Sequence, residues 1–295
     1  MNKISNVKVT GLHGFKENTV TVDFLPNKPM SFVYGVNGIG KTTVFKLLNA
    51  ALNKDFETLQ KIGFNTIEIK FNDGDNLIFQ KKNSLINIKY NNKDKIVFDF
   101  HTKTNLYLEK REEDAESFYE ELRHSITIKL LSCDKYYKRK LPKFTFKKQG
   151  KLREKECKVF EEVISNPGLT DKYININRET GELELTVEFG KKEYKKQGLE
   201  ILSQGEKNLL LLYYYLIFKV PNTLPKDNVF IQLIDTPETE IHIDEMITFY
   251  ENLQFINNEL GRNNNFQFVI ASHSPAITYN HNELMRAMRR IKTDE

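Results

Sequence analysis

The chain is poor in cysteine, in long apolar runs and in net charge, and each shortage removes a class of protein. Cys133 and Cys157 are its two cysteines, far apart and in no CxxC pair. That spacing excludes a disulfide framework or a cysteine zinc site and fits a reducing, cytoplasmic setting. The greasiest stretch, LLLLYYYLIF at 209–218, falls short of the roughly 18 apolar residues that a membrane span needs. It reads as a buried helix, and no membrane partner is expected. The opening MNKISNVKVTGLHGF holds no apolar run of signal-peptide length. Net charge is only +4, too mild by itself to imply a nucleic-acid partner. Internal repeats, low-complexity tracts and long heptad patterns are absent from the sequence. So is any nuclease signature: there is no carboxylate cluster and no HxH or HNH-like spacing.

What is there suffices for a packed protein. Hydrophobic residues make up 39 % of the 295 and aromatics 12 %, enough for a sizeable core. The length fits about two domains, or one core carrying an inserted lobe. Residues 4–10 and 19–24 alternate as strands around a turn marked by Gly11 and Gly14. MSFVY at 30–34 reads as a buried strand that ends in glycine, and 42–52 has helical periodicity. TIEIKF, NLIFQ, INIKY and KIVFDF between 65 and 100 alternate again, separated by Asn/Asp/Gly turns, and predict antiparallel strands forming a β-lobe with the N-terminal pair. Residues 101–198 change character. They hold an acidic helix candidate at 109–122, a basic stretch, and a hairpin in which YININ and ELELTVEF flank Arg178–Gly181. From Leu199 an α/β pattern returns. It comprises the apolar helix, the strand VFIQLID, a helix around 244–260, the strand FQFVIAS, and a C-terminal helix carrying Arg286, Arg289, Arg290 and Lys292.

Residues 35–42, GVNGIGKT, satisfy GxxxxGK[ST] in full, between a strand and a helix as that motif requires. Gly35, Gly38 and Gly40 let backbone N–H groups approach phosphate oxygens. Lys41 would reach the β- and γ-phosphates, and Thr42 would hold Mg²⁺. Asn37 and Thr43 complete the candidate nucleotide-binding set. VFIQLID ends in Asp235, placed to hold the Mg²⁺ shell opposite Thr42. The same segment is also an ordinary strand running into a turn. LSQGEKN at 202–208 puts Ser203 at a helix N-cap with Glu206 three residues on, a capping box that also leaves N–H groups free for an anion. FVIASH places His273 at a strand exit.

Residues 129–158 carry twelve Lys/Arg against three Asp/Glu. From Lys135 to Arg153, the basic residues include Lys138, Arg139, Lys140, Lys143, Lys147, Lys148 and Lys151, interleaved with Tyr136, Tyr137, Phe144 and Phe146. Lysines among aromatics suit DNA or RNA. A solvated loop, an acidic patch on a partner, or residues 109–121 of this chain would account for the run as well.

The order GVNGIGKTT, LSQGE, VFIQLIDTPE, FVIASHSP resembles the ATP-binding-cassette ATPase heads of the SMC/RecF and OLD (overcoming lysogenisation defect) class. ISNVKVTGLHGFKENTVTVDF is similar to their opening strands. LLNAALNKDFETLQKIGFNTIEIKF resembles compact AAA-family ATPases of bacterial phage-defence systems. The likeness is good over 1–80 and 199–281 and poor over 101–198.

It implies a P-loop α/β fold: a RecA-like core plus an N-terminal antiparallel β-lobe, with an inserted α+β lobe. The expected domains are 1–100 (β-lobe and P-loop half), 101–198 (inserted lobe) and 199–295 (signature, Walker B and switch-histidine half). By the same resemblance Ser203 and Gly205 contact the γ-phosphate held by a second copy, Asp235 is the Walker B aspartate, and His273 is the switch residue. A glutamine between the P-loop and the signature is also implied; Gln80 matches, though an ordinary strand glutamine reads identically.

The chain departs from that class at one place. The usual Asp-Glu-Pro becomes Asp235-Thr236-Pro237-Glu238, so Thr236 stands where a glutamate would polarise the attacking water. Losing a general base costs about 10²- to 10⁴-fold in rate. Either Glu238 serves as the base or hydrolysis is slow. The expected protein is an ATP- and Mg²⁺-dependent ATPase that forms an ATP-sandwich homodimer or a higher oligomer. It would act as a sensor or clamp in phage defence or DNA maintenance and control a separate effector such as a nuclease or toxin. A RecF-like repair ATPase and a nucleotide-locked scaffold are the alternatives.

Overall fold

The computed structural model describes residues 3–14, 18–35, 37–83, 85–91, 94–99, 104–106, 125–132, 146–148, 151–165, 172–189, 192–196, 202–225, 228–238, 241, 243–262, 265–274, 285–287 and 289–292. The chain divides into two compact units, 1–132 with 224–236 and 264–295, and 133–223 with 237–263.

The first unit holds two sheets. One is antiparallel and is built on β1 (Ile4–Thr10), β2 (Asn18–Asp23), β4 (Thr66–Phe71), β5 (Asn76–Lys82), β6 (Leu85–Tyr90), β7 (Asp94–Asp99), β8 (Thr104–Leu106) and β18 (Arg289–Lys292), in the order β18-β2-β1-β4-β5-β6-β7-β8. This is the β-lobe expected from the alternating runs. The other is parallel: β3 (Met30–Tyr34), β9 (Ile126–Ser132), β15 (Val229–Asp235), β16 (Phe266–Ser272) and β17 (Met285–Ala287) lie in the order β17-β3-β16-β15-β9. β15 and β16 are buried at every position, which explains why both read as unbroken apolar runs rather than alternating ones.

Helix α1 (Lys41–Leu52) is buried along most of its length. Val44, Phe45, Leu47 and Leu48 share one core with Val7 and Val9 of β1, Ile67 and Ile69 of β4, and Val229, Ile231 and Leu233 of β15. The odd-numbered side chains of β15 therefore face α1. Side chains alternate along a strand, so Asp235 at its end falls on that same face. A short helix α2 (Phe56–Lys61) follows α1, capped by Asp55, whose carboxylate accepts from the Thr58 N–H at 3.0 Å.

Two expectations are corrected here. Residues 285–292 form strands, not a helix. Met285–Ala287 pairs with β3 and Arg289–Lys292 with β2; the open edges of those strands offer backbone partners that outweigh the local helical preference of this basic segment. Strand β9, inside the segment 101–198 read as an insertion, pairs in parallel along its whole length with β15 and so belongs to the nucleotide-core sheet. The acidic helix candidate at 109–122 lies outside the described residues.

The second unit contains α3 (Glu154–Ser165), α4 (Gln204–Phe218), α5 (Ile243–Glu259), a two-stranded ribbon of β10 (Lys147–Lys148) and β11 (Lys151–Leu152), and a three-stranded sheet. That sheet is β12 (Lys172–Ile176), β13 (Leu183–Phe189) and β14 (Lys192–Lys196), in sequence order. β12 and β13 are the expected hairpin; β14 adds a strand the pattern did not announce. Aromatic rings join the helices: Phe146 packs on Phe160, Tyr214 and Phe218 with centroids 5.1–5.6 Å apart. Arg262 is buried and donates to the carbonyls of Leu216 and Val220 and to the side-chain oxygens of Asn222 and Asn257, closing the C-terminal end of α4. Residues 202–223 and 237–262 belong to this second unit.

Candidate nucleotide-binding site

The site of the first unit is built where parallel strands end. In the register of the five-stranded sheet, Tyr34 of β3 pairs with Ser272 of β16, Ala271 of β16 with Asp235 of β15, and Asp235 with Ser132 of β9. The P-loop, His273 and Asp235 therefore all leave the same carboxyl edge, the edge at which open α/β sheets bind ligands.

Gly35 is buried, Asn37 and Gly38 are exposed, and Gly40 is half-buried. Gly40 has φ +107° and leads into α1 with no side-chain cap on the helix. A Cβ at Gly40 would stand 2.8 Å from Leu12 Cδ2, so backbone angle and contact both demand glycine there. An uncapped first turn leaves backbone N–H groups for an outside acceptor, the arrangement that suits phosphate. Lys41 is buried, at 6 % exposure, and its ammonium donates to the Gly35 carbonyl, which folds the loop over its own lysine.

The Thr42 hydroxyl donates to Asp235 Oδ1 at 3.0 Å, across 193 residues of sequence. Asp235 is 1 % exposed. A hydroxyl and a buried carboxylate held together at the foot of a phosphate loop form a hard-oxygen donor set, which fits Mg²⁺. Thr42 and Asp235 are the residues that would hold it. Thr43, one position on, lies half-buried with its hydroxyl 3.5 Å from His13 Nε2. His273 is exposed just past β16, and the N–H of Ser274 donates to Ser272 Oγ at 3.0 Å in the same turn.

Thr236 follows Asp235 with φ +48°, its N–H held by the Ala271 carbonyl at 2.9 Å. A β-branched residue in the left-handed region is strained by roughly 1–3 kcal/mol. The strain falls at the position where the sequence departs from the Asp-Glu-Pro pattern.

These features combine in one P-loop head. The AAA domain profile matches residues 6–212 of this chain. The chain belongs to the AAA domain family. Among solved structures, this AAA domain is similar to the Smc head domain of Pyrococcus furiosus, solved with an extended coiled coil and bound to the C-terminal domain of ScpA, at TM-score 0.50 and 11 % identity. That match covers 99 % of this chain and 97 % of the other. A putative ABC transporter ATP-binding protein from the same organism aligns at TM-score 0.33 and 15 % identity over 96 % and 97 % of the two chains, and no conclusion rests on it. No curated protein sequence matches the chain. The fold is similar to that of the Smc head domain.

Of the remaining candidates, Ser203, Gly205 and Glu238 fall in the second unit and Gln80 in the first. Ser203 is the N-cap of α4: its Oγ accepts from the Glu206 N–H at 3.2 Å, and Glu206 Oε2 accepts from the Ser203 N–H at 2.6 Å, which completes the capping box. Ser203 is exposed and Gly205 half-buried. Glu238 is half-buried in a turn where its carbonyl accepts from Ile241 N–H at 3.2 Å. Gln80 sits in β5 as an exposed strand residue paired with Thr66 and Asn87. Sequence reasoning missed Ser132, the register partner of Asp235, because β9 lies in a segment that broke the family pattern. It also missed His13, whose signal was a histidine between two turn glycines.

The basic stretch divides. Lys135–Phe144 lies outside the described residues. Phe146, read as a surface aromatic, is buried at 1 % exposure in the ring cluster of the second unit. Lys147 donates to the Glu179 carbonyl, and Arg153 to the Phe218 carbonyl at 2.9 Å. Cys157 is buried in α3, and burial pushes its thiol up to about 11, out of the nucleophilic range at neutral pH.

Lys41→Ala should abolish measurable ATP binding with the fold retained, since it removes the charge that faces the phosphates. Calorimetric titration with ATP and Mg²⁺, alongside circular dichroism, checks this; unchanged affinity would remove the P-loop assignment.

Proposed function

We propose that this AAA domain is an ATP-dependent switch that dimerises around nucleotide and controls a separate effector in phage defence or DNA maintenance. The observation that carries the reading is the Thr42–Asp235 pair at 3.0 Å beside an uncapped, glycine-bounded helix start. ATP is the substrate. Lys41 and the loop N–H groups hold its phosphates, and Thr42 and Asp235 hold Mg²⁺. Held by Thr42 and Asp235, Mg²⁺ would supply positive charge to offset the negative charge of the phosphates.

Dimerisation is supported by the second unit's own geometry. The Ser203 cap sets the start of α4 in place, yet Ser203 itself is exposed. A fixed helix start facing solvent offers its N–H groups to an anion carried by another molecule. A second copy bearing ATP in its P-loop is that molecule under this proposal. The SMC/OLD-like motif order supports control of a separate effector and a cytoplasmic setting; among the described residues no helix is long and apolar enough to cross a membrane. Nucleic-acid contact is assigned to the basic stretch Lys135–Arg153, of which Lys147 and Arg153 also donate within the fold.

ATP should therefore raise the mass measured by light scattering, and Ser203→Arg should prevent the rise by filling the anion site with a bulky side chain. Equal mass with and without ATP in the wild type would refute the sandwich.

The nucleotide-locked scaffold keeps one observation in its favour: strained Thr236 occupies the place of the water-polarising glutamate. Glu238 is the base this proposal assigns to turnover. Under saturating ATP, Glu238→Gln should lower turnover by about 10²-fold or more while binding persists. Wild-type turnover indistinguishable from zero would favour the scaffold. Rapid turnover in both proteins would exclude Glu238 as the base.

A further inference from the structure

Asn37–Gly38 is the one Asn-Gly step in the sequence, and it lies inside the phosphate loop. An asparagine before glycine can close on itself: the glycine amide nitrogen reaches the preceding side-chain carbonyl with no Cβ in the way. The fold leaves that approach open. Asn37 and Gly38 are both exposed. Gly38 takes φ +82°, and no atom lies within 4 Å of the point where a Cβ would stand on it. Among the described residues, no hydrogen bond holds the Asn37 side chain or the Gly38 N–H. The other loop glycines differ. Gly35 is buried, and Gly40 is closed off by Leu12 Cδ2. The loop is therefore anchored at both ends and open at the Asn-Gly step.

The chemistry needs only the chain and solvent water. The Gly38 nitrogen attacks Asn37 Cγ, a C–N bond forms, and the bond from Cγ to Nδ2 breaks. The side-chain nitrogen leaves as ammonia, carrying the proton that the Gly38 amide gave up. A five-membered imide remains. One water then opens it at either carbonyl, to aspartate or to isoaspartate, whose main chain runs through the former side chain. Nothing is oxidised or reduced. Either product sets a carboxylate where phosphate must sit, and isoaspartate also lengthens the loop by one main-chain carbon. That displaces the N–H groups which the GxxxxGK spacing arranges around phosphate. The attacking nitrogen is itself one of those groups. An N–H that donates to a phosphate oxygen keeps its proton and is held in place.

We infer that Asn37–Gly38 is a self-modification site: a phosphate loop empty of nucleotide deamidates there and loses its capacity for ATP, whereas an occupied loop is protected. This rests on the ATP-binding reading above and gives the unoccupied state a chemical lifetime. Asn27 provides a reference within the same chain. It is exposed as well, but Lys28 follows it, so the attacking residue carries a side chain.

The test incubates the full chain at mildly alkaline pH with and without MgATP, and in urea as the unfolded reference. Peptide mass mapping and labelling by an isoaspartate-specific methyltransferase follow the modification, and calorimetric titration follows ATP binding. Without nucleotide, the peptide spanning Asn37 should gain the mass of an amide-to-acid exchange and accept the label, while Asn27 stays intact. The stoichiometry of ATP binding should fall in step with the modified fraction. At an ATP concentration about 100 times its Kd, about 1 % of the sites are empty, so deamidation should slow by up to about 100-fold. Asn37 that stays intact in the folded, nucleotide-free chain while it deamidates in urea overturns the inference. Equal rates with and without ATP, in protein that binds ATP, overturn the protection. Undiminished stoichiometry in modified protein overturns the inactivation. Fresh protein that binds no ATP, a result read by calorimetry alone, removes the underlying reading and this one with it.

Discussion

The hydrogen bond from Thr42 to Asp235 is the contact on which the site depends. It joins the first turn of α1 to the end of β15 across most of the chain's length, at 3.0 Å and beside a carboxylate almost sealed from solvent. Three features must be right for it to form. The glycine at 40 must take φ +107° so that the helix can start where it does. β15 must lie in the middle of a parallel sheet, buried on both faces, so that period-two alternation turns residue 235 toward α1. The helix itself must be clamped in the core, as Val44, Phe45, Leu47 and Leu48 are. The hydrophobic core is thus what fixes two polar side chains from opposite ends of the sequence within one bond length of each other.

Much of this was legible before any coordinates. Strands that alternate and strands that do not are distinguishable by eye, and both sheets followed from that difference. Asp235 and the P-loop announced themselves because their chemistry is tied to a strand end and to glycine spacing. The capping box at Ser203 was equally plain, since a serine and a glutamate three apart satisfy each other's backbone. The misses have a common cause: they depend on partners distant in sequence. β9 reads as part of an insertion until β15 is seen beside it. Residues 285–292 look helical until the edges of β3 and β2 are seen to be open. Phe146 and Arg153 read as members of a basic, aromatic surface, yet one is buried among rings and the other ends a helix. Composition reports what a segment could touch, and only the fold reports what it does touch.

The two strained non-glycine residues of the first unit nearest the site, His13 and Thr236, flank the P-loop and the buried Asp235. Neither is explained by local propensity, and each is pinned by a backbone bond to a neighbouring segment, Gly63 or Ala271. Conformations that cost energy yet are held in place concentrate where a ligand must be met in a fixed geometry. The parallel sheet supplies the rigid edge; these residues adapt it.

Hydrogen exchange of the wild-type protein, with and without saturating MgATP, tests the central claim most directly. If phosphate is held by the uncapped start of α1, amides of residues 38–43 slow markedly when nucleotide is added, with no comparable change in β5 to β7 on the far strands of the antiparallel sheet. Exchange at residues 38–43 that is the same with and without ATP would contradict the account.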